Sequence, residues 1–133
     1  MLHPKQIEIL LAKAEQDEYI LDKLLDDPNA PLEVFGFHAQ PAAEKMLKAA
    51  LVARDVDYPP THRLKDLLKL IQAQGIELPE ISAFLRQLTP FAVEYRYDLL
   101  PLELEEPLDK KKVRHALREL RAWVESLTKD KGS

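Results

Sequence analysis

Cysteine is absent from the sequence, glycine occurs only 3 times in 133 residues, and long apolar stretches are missing. Without cysteine, the chain has no disulfides, no thiolate metal ligands and no cysteine nucleophile. No run of about 18 uncharged apolar residues is present, so no transmembrane helix is predicted. Residues 1–6 also lack the basic segment and apolar stretch of a secretory signal. We therefore expect a cytoplasmic protein with no membrane association.

An excess of positive charge is missing too, because the net charge is -4. A protein that binds a nucleic-acid backbone over a broad surface normally carries an excess of lysine and arginine. Any contact with RNA is therefore expected to be local. The sequence has no glycine-rich phosphate loop and no carboxylate and histidine spacing typical of a metal site, so we predict neither a metal nor another cofactor.

Residues that favour helices dominate the composition. Leu, Ala, Lys and Glu are abundant and β-branched residues are scattered, which favours helices over a sheet. Apolar residues recur at three- and four-residue spacing in five segments, and the connections between them are short. The segments begin near residues 4, 32, 61, 79 and 109. The sequence predicts an all-α, up-and-down bundle of about five helices, with one domain over residues 1–129 and a disordered tail at 130–133.

The second predicted helix, over about 32–54, is apolar around most of its circumference, which is typical of the centre of a bundle. Pro41 interrupts it, because proline lacks the backbone N–H and costs about 3 kcal/mol in a helix interior. We expect a kink or a helix break there. In the third segment, Thr61 is the predicted N-cap and Gly75 the predicted stop.

Residues 37–49 read F-H-A-Q-P-A-A-E-K-M-L-K-A, which is similar to the pattern F-H-A-Q-Q-A-A-E-K-x-L-K-A of the HEPN family of small prokaryotic nucleotide- and RNA-associated proteins. Only the proline is out of pattern. Residues 59–64, P-P-T-H-R-L, resemble the family's P-x-T-H-x-L, and residues 95–97, Y-R-Y, resemble its R-Y near the end of the fourth helix. The resemblance implies a helical bundle, frequent homodimerisation, and often a minimal nucleotidyltransferase partner in toxin–antitoxin modules.

Many HEPN members resemble metal-independent ribonucleases, in which an Arg and a His with four to six residues between them act on the 2′-hydroxyl and the scissile phosphate. Arg96 matches the arginine, but the positions for the histidine hold Pro101, Leu102 and Glu103. No arginine of the chain has a histidine at that spacing. Catalysis would need His62 or His38 from another helix, or a partner chain, to move the proton near neutral pH.

Three residues of the second helix are candidate phosphate ligands: His38, Lys45 and Lys48. His38 and Lys45 are seven residues apart and share one helix face. The alternative is structural, with Glu44 and Lys48 forming an ion pair at four-residue spacing and His38 bonding a carbonyl freed by Pro41.

Three further candidates lie outside that helix: His62, Arg96 and Tyr97. The ring of His62 could meet an anion at a helix N-terminus, or only fasten its loop. Arg96 and Tyr97 could pair a guanidinium with phosphate and stack a base, or serve the core and a salt bridge. If the protein has a catalytic pair, the best candidates are Arg96 and His62.

The last helix carries a positive stripe, interpreted as a solvated surface, formed by Lys110, Arg114, Arg118 and Arg121. Glu103, Glu105 and Glu106 precede it and offer complementary charge for a dimer or a basic partner.

Three functions are compatible with these residues. The first is a binding module that holds a nucleotide or RNA, forms a homodimer, and partners a minimal nucleotidyltransferase in a toxin–antitoxin-like system. The second is a metal-independent ribonuclease toxin with His62 as a displaced catalytic histidine. The third is an oligomerisation scaffold without a ligand.

Overall fold

The computed structural model describes residues 3–91 and 108–131, with the side chains of 89, 90, 130 and 131 left out. Within these ranges every regular element is helical, and no strand is present. The elements are α1 (Pro4–Leu24), α2 (Leu32–Ala53), α3 (Leu64–Ala73), a 3-10 helix (Glu80–Phe91) and α4 (Lys110–Lys131). The predicted all-α bundle of about five helices is confirmed. No helix of the described residues has the length and apolarity needed to cross a membrane.

α2 forms the centre of the bundle, as its composition predicted. It contacts α1, α3, the 3-10 helix and α4. Most of its residues are buried, and the largest side chains that it contributes to the core are Phe35, Met46, Leu47 and Leu51. α2 runs through Pro41 as one helix, so the predicted alternative of a helix break is wrong, whereas a kink stays a prediction. The packing of α2 against its neighbours outweighs the local cost of the proline.

Gly36 allows the 3-10 helix to approach α2 closely. A Cβ atom at Gly36 would overlap the ring of Phe91, which is fully buried. The same ring packs edge-on against Phe37, with centroids 5.9 Å apart. The end of the 3-10 helix is therefore fixed against the first half of α2.

The turn before α3 departs from the sequence prediction. Arg63 occupies the N-cap position without a capping side-chain bond, so Thr61 is not the cap. Its hydroxyl instead donates to Asp66 Oδ2 at 2.9 Å and accepts from the Arg63 N–H at 3.1 Å. The hydroxyl oxygen thus accepts from the amide of the N-cap residue rather than from an amide of the first helical turn. Gly75 ends α3 as predicted, with φ of 75°.

α4 begins one residue after Asp109, whose carboxylate accepts from the Lys112 N–H at 3.1 Å and caps the helix. Lys110 reaches the end of α1 and donates to the carbonyls of Leu24 and Asp27 at 3.4 and 3.1 Å. The helix continues to Lys131, so residues 132 and 133 of the predicted tail lie outside the described residues.

Candidate functional site

The Glu44 cluster joins α2 to the loop before α3 and comprises Gln40, Glu44, Lys48 and His62. Glu44 is 7% exposed, and its Oε2 accepts from Lys48 Nζ at 2.8 Å. Both of its carboxylate oxygens lie 3.2 Å from His62 Nδ1. Gln40 Nε2 donates to Glu44 at 3.3 Å and to the carbonyl of His62 at 2.7 Å. The predicted ion pair of Glu44 and Lys48 is therefore present, and it also holds His62.

The Asp17 cluster joins α2 to α1 and comprises Asp17, His38 and Lys45. Asp17 Oδ1 lies 3.0 Å from His38 Nδ1, and Oδ2 accepts from Lys45 Nζ at 2.7 Å. The prediction that His38 and Lys45 share a helix face is confirmed. The bonding partner predicted for His38 was wrong, because the ring meets the Asp17 carboxylate of α1 rather than a carbonyl freed by Pro41.

The two clusters lie on different sides of α2. Glu44 and Lys45 are neighbours in sequence, and successive helical residues point about 100° apart. Glu44 meets the loop before α3, whereas Lys45 meets α1. The phosphate-ligand candidates are thus separated, with Lys48 and His62 on one side and His38 and Lys45 on the other. Each lysine already has a carboxylate partner that compensates its charge.

The α3 entry, defined as Thr61, His62, Arg63 and the first turn of α3, places an imidazole beside a helix N-terminus. The His62 side chain is 46% exposed, and its contacts with Glu44 use only one of its two ring nitrogens. No side chain caps the first amides of α3. Such amides, aided by the helix dipole, favour an anion at this position.

Arg96 and Tyr97 lie outside the described residues, as do Pro101, Leu102 and Glu103. The predicted meeting of Arg96 and His62 stays a prediction. The 3-10 helix ends at Phe91 against Gly36, one helical turn from Gln40 of the Glu44 cluster.

An ion network between α1 and α4 was missed by the sequence interpretation, which placed these arginines on a solvated surface. Arg114 is only 7% exposed; it donates to Asp22 Oδ1 at 2.6 Å and to Glu18 Oε1 at 3.1 Å. Arg121 donates to the other oxygen of Glu18 and to the Leu11 carbonyl. The hydrogen bond from Arg114 holds the pKa of Asp22 below its usual value, against the opposing effect of partial burial. The sequence did contain a signal for this network. Glu18 and Asp22 are four residues apart and so lie on one face of α1, and the arginines of α4 form a stripe that can pair with that face.

All four histidines of the chain meet a carboxylate. The rings of His38 and His62 use Nδ1, and those of His3 and His115 use Nε2 toward Asp55 and Glu119 at 3.2 and 2.9 Å. A carboxylate behind an imidazole orients the ring and selects its tautomer, as in general acid–base sites. Of the two rings that use Nδ1, the ring of His62 is the more exposed, and its carboxylate partner, Glu44, is buried. Within the described residues, no group of histidine, aspartate and glutamate is arranged to hold a metal ion.

Comparison with known proteins gives one match. The family model described as HEPN domain matches residues 7–128. The matched range includes the Glu44 cluster, the Asp17 cluster and the α3 entry. The chain matches none of the curated proteins and none of the solved structures with which it was compared.

Proposed function

This chain belongs to the HEPN domain family, and on that premise we propose that it is a binding module that does not cleave RNA. It partners a minimal nucleotidyltransferase and holds a nucleotide or RNA phosphate at the α3 entry. The observation that carries the ligand site is the half-exposed ring of His62 beside the uncapped amides of α3. The helix amides favour an anion, the imidazole adds to this when it is protonated, and a phosphate is the anion that nucleotides and RNA share.

The absence of cleavage is supported by the sequence after Arg96 and by the histidines. Positions 101–103 hold Pro101, Leu102 and Glu103, so the arginine lacks a histidine at the family spacing. The four histidines lie just before α1, on α2, in the loop before α3 and on α4, each beside a carboxylate. None follows Arg96 on the same segment.

Lys45 and Lys48 are assigned a structural role in this proposal. Their pairing with Asp17 and Glu44 makes each cluster nearly neutral, and an incoming phosphate would have to displace a largely buried carboxylate. The α3 entry offers its ring nitrogen and helix amides without that cost. The phosphate is therefore placed beside His62, with Arg96 as the second cation.

RNA binding and cleavage can be measured with the same purified chain. A fluorescein-labelled single-stranded RNA oligomer is expected to bind and to stay intact on a denaturing gel. Binding should weaken in Arg96→Ala and His62→Ala and be unchanged in the exposed control His115→Ala. RNA cleavage that disappears in Arg96→Ala would overturn the proposal.

The nucleotidyltransferase partnership and self-association need separate measurements. Coexpression with a minimal nucleotidyltransferase encoded beside this chain is expected to give a complex that survives gel filtration. Sedimentation equilibrium of the chain alone is expected to give the mass of a homodimer. A monomer that never enters a complex would remove the partner role and leave only the ligand site.

A second candidate function, a ribonuclease toxin, is favoured by the Glu44 carboxylate behind His62. A half-exposed imidazole with an oriented tautomer is suited to accept a proton from a 2′-hydroxyl. In this case, expression of the wild-type chain arrests growth, and His62→Ala abolishes both arrest and RNA cleavage. His115→Ala, which removes a histidine paired with an exposed glutamate, should retain both. Equal toxicity of the two variants would exclude His62 from the mechanism.

A further inference from the structure

His62 is held against α2 at two points, its main chain and its ring. Gln40 is fully buried and donates from Nε2 to the His62 carbonyl at 2.7 Å. Glu44 presents both carboxylate oxygens to Nδ1 at 3.2 Å. The turn is closed on the other side by the bond from the Arg63 N–H to Thr61 Oγ1. The orientation of the His62 ring is therefore coupled to α2.

Glu44 acts as the acceptor toward every neighbour in its cluster. Lys48 Nζ and Gln40 Nε2 can only donate hydrogen bonds, and both donate to this carboxylate. The ammonium group of Lys48 compensates its negative charge, and an ionised carboxylate can only accept hydrogen bonds. A hydrogen bond between this carboxylate and His62 therefore requires the proton to sit on Nδ1. The bond made by one ring nitrogen decides which form the other takes.

We propose that Glu44 is a positioning residue that fixes the Nδ1–H tautomer of His62 and leaves Nε2 as the ring atom that meets a ligand. Nε2 accepts a hydrogen bond while the ring is neutral and donates one when the ring is protonated. The tautomer follows from the contacts of Glu44 alone. Only the contact between Nε2 and a ligand rests on the function proposed above.

The other histidines provide references within the same molecule. His3 and His115 turn Nε2 toward their carboxylates, and both rings are exposed. In these two histidines the nitrogen that contacts the carboxylate is Nε2, whereas in His62 it is Nδ1. The structure therefore predicts different proton positions for His62 and His115. His115 and Glu119 are an exposed histidine and glutamate pair on α4, which makes Glu119 a matched control for Glu44.

The tautomer can be measured without a ligand. Long-range 1H–15N correlation spectra of the labelled full-length chain, recorded above the titration of the rings, identify which nitrogen carries the proton. We expect His62 to be protonated at Nδ1, to lose this preference in Glu44→Ala, and to keep it in Glu119→Gln. An Nε2–H signal from His62 in the wild-type protein overturns the inference, even if Glu44→Ala fails to fold. An unchanged His62 tautomer in folded Glu44→Ala overturns it as well.

The positioning role can be measured with the single-stranded RNA oligomer. Loss of the partner that orients a metal-binding histidine typically costs about 10-fold or more in affinity, and we expect a loss of the same order for the ligand contact of His62. Glu44→Ala and His62→Ala should each weaken binding by about 10-fold, and the double variant should bind no more weakly than His62→Ala. Additive losses would mean that Glu44 does not act through His62. If the wild-type chain binds no RNA, the proposed function fails, while the ligand-free spectra still decide whether Glu44 sets the tautomer.

Discussion

At the scale of single residues, three carboxylates organise the polar side chains of the bundle. Asp17 contacts His38 and Lys45, and Glu44 contacts Lys48 and His62. Glu18, which is 4% exposed, accepts from two arginines of α4. A buried charge is tolerated only when it is paired and hydrogen-bonded. Cations that look like phosphate ligands in the sequence are therefore largely the counter-charges of these three residues.

Asp66 places a negative charge in the first turn of α3, close to the proposed phosphate position. Asp66→Asn is expected to strengthen binding of the RNA oligomer by about twofold to fivefold, because one repulsive charge is removed. The same change should lower the free energy of unfolding by about 0.3–1 kcal/mol, since an acidic group favours a helix N-terminus. Fluorescence anisotropy and urea unfolding measure the two effects.

Glu80→Gln is the matched control, because it removes the same charge from the first turn of the 3-10 helix. If Glu80→Gln strengthens RNA binding as much as Asp66→Asn, the gain reflects net charge alone. The ligand would then not lie at the α3 entry.

At the scale of helices, the apolar periodicity predicted most elements, because burial repeats every three to four residues along each of them. The start of α3 and the type of the fourth element were not predictable in this way. Thr61 is a good N-cap by type, but the helix begins two residues later than predicted and its hydroxyl oxygen accepts from the Arg63 N–H. Residue spacing reveals neither the 3-10 geometry of Glu80–Phe91 nor its close contact with Gly36.

Gly36→Ala tests the close approach of the 3-10 helix to α2. Alanine favours a helix over glycine by about 1 kcal/mol, so an unobstructed site would be stabilised. Overlap with the Phe91 ring should reverse the sign and destabilise the protein by about 1–3 kcal/mol. Urea unfolding of Gly36→Ala in the wild-type and Phe91→Ala backgrounds measures the coupling. The penalty should vanish when the ring is absent, and a penalty that persists contradicts the contact.

Arg114→Met tests the connection of α1 to α4. Removing one partner of a buried ion pair commonly costs about 3–5 kcal/mol, because the remaining charge stays buried. Arg121 still contacts Glu18, so we expect the lower end, about 3 kcal/mol in urea unfolding. Arg118→Met is the control, since Arg118 is largely exposed and lies 3.5 Å from Asp22; it should cost about 1 kcal/mol or less. Equal effects of the two variants would place Arg114 on the surface, as the sequence alone had predicted.

At the scale of the whole molecule, contacts between distant residues separate what the sequence could predict from what it could not. The family pattern identified Glu44, Lys48 and His62, but their meeting depends on the loop that folds back onto α2. Arg114 and Glu18 are 96 residues apart in sequence, and helical periodicity cannot indicate which faces of α1 and α4 meet. Local patterns thus predicted the helices and the candidate residues, whereas their partners required the tertiary structure.

The ion network between α1 and α4 also makes the stability of the bundle depend on pH. The hydrogen bond from Arg114 lowers the pKa of Asp22 in the folded chain, so folding favours its ionised form. This contribution is present above the pKa of the unfolded chain, about 3.9, and is lost as the pH falls through the lower folded value. Asp22 is about half exposed, so solvent screening limits the effect to about 0.5 kcal/mol. Thermal unfolding of the wild type and Asp22→Asn should therefore differ at pH 7 and converge as the pH falls below the lowered pKa of Asp22, with Asp26→Asn as the control for loss of one charge at the same end of α1. A difference that is constant with pH would mean that Asp22 contributes through shape rather than through its charge.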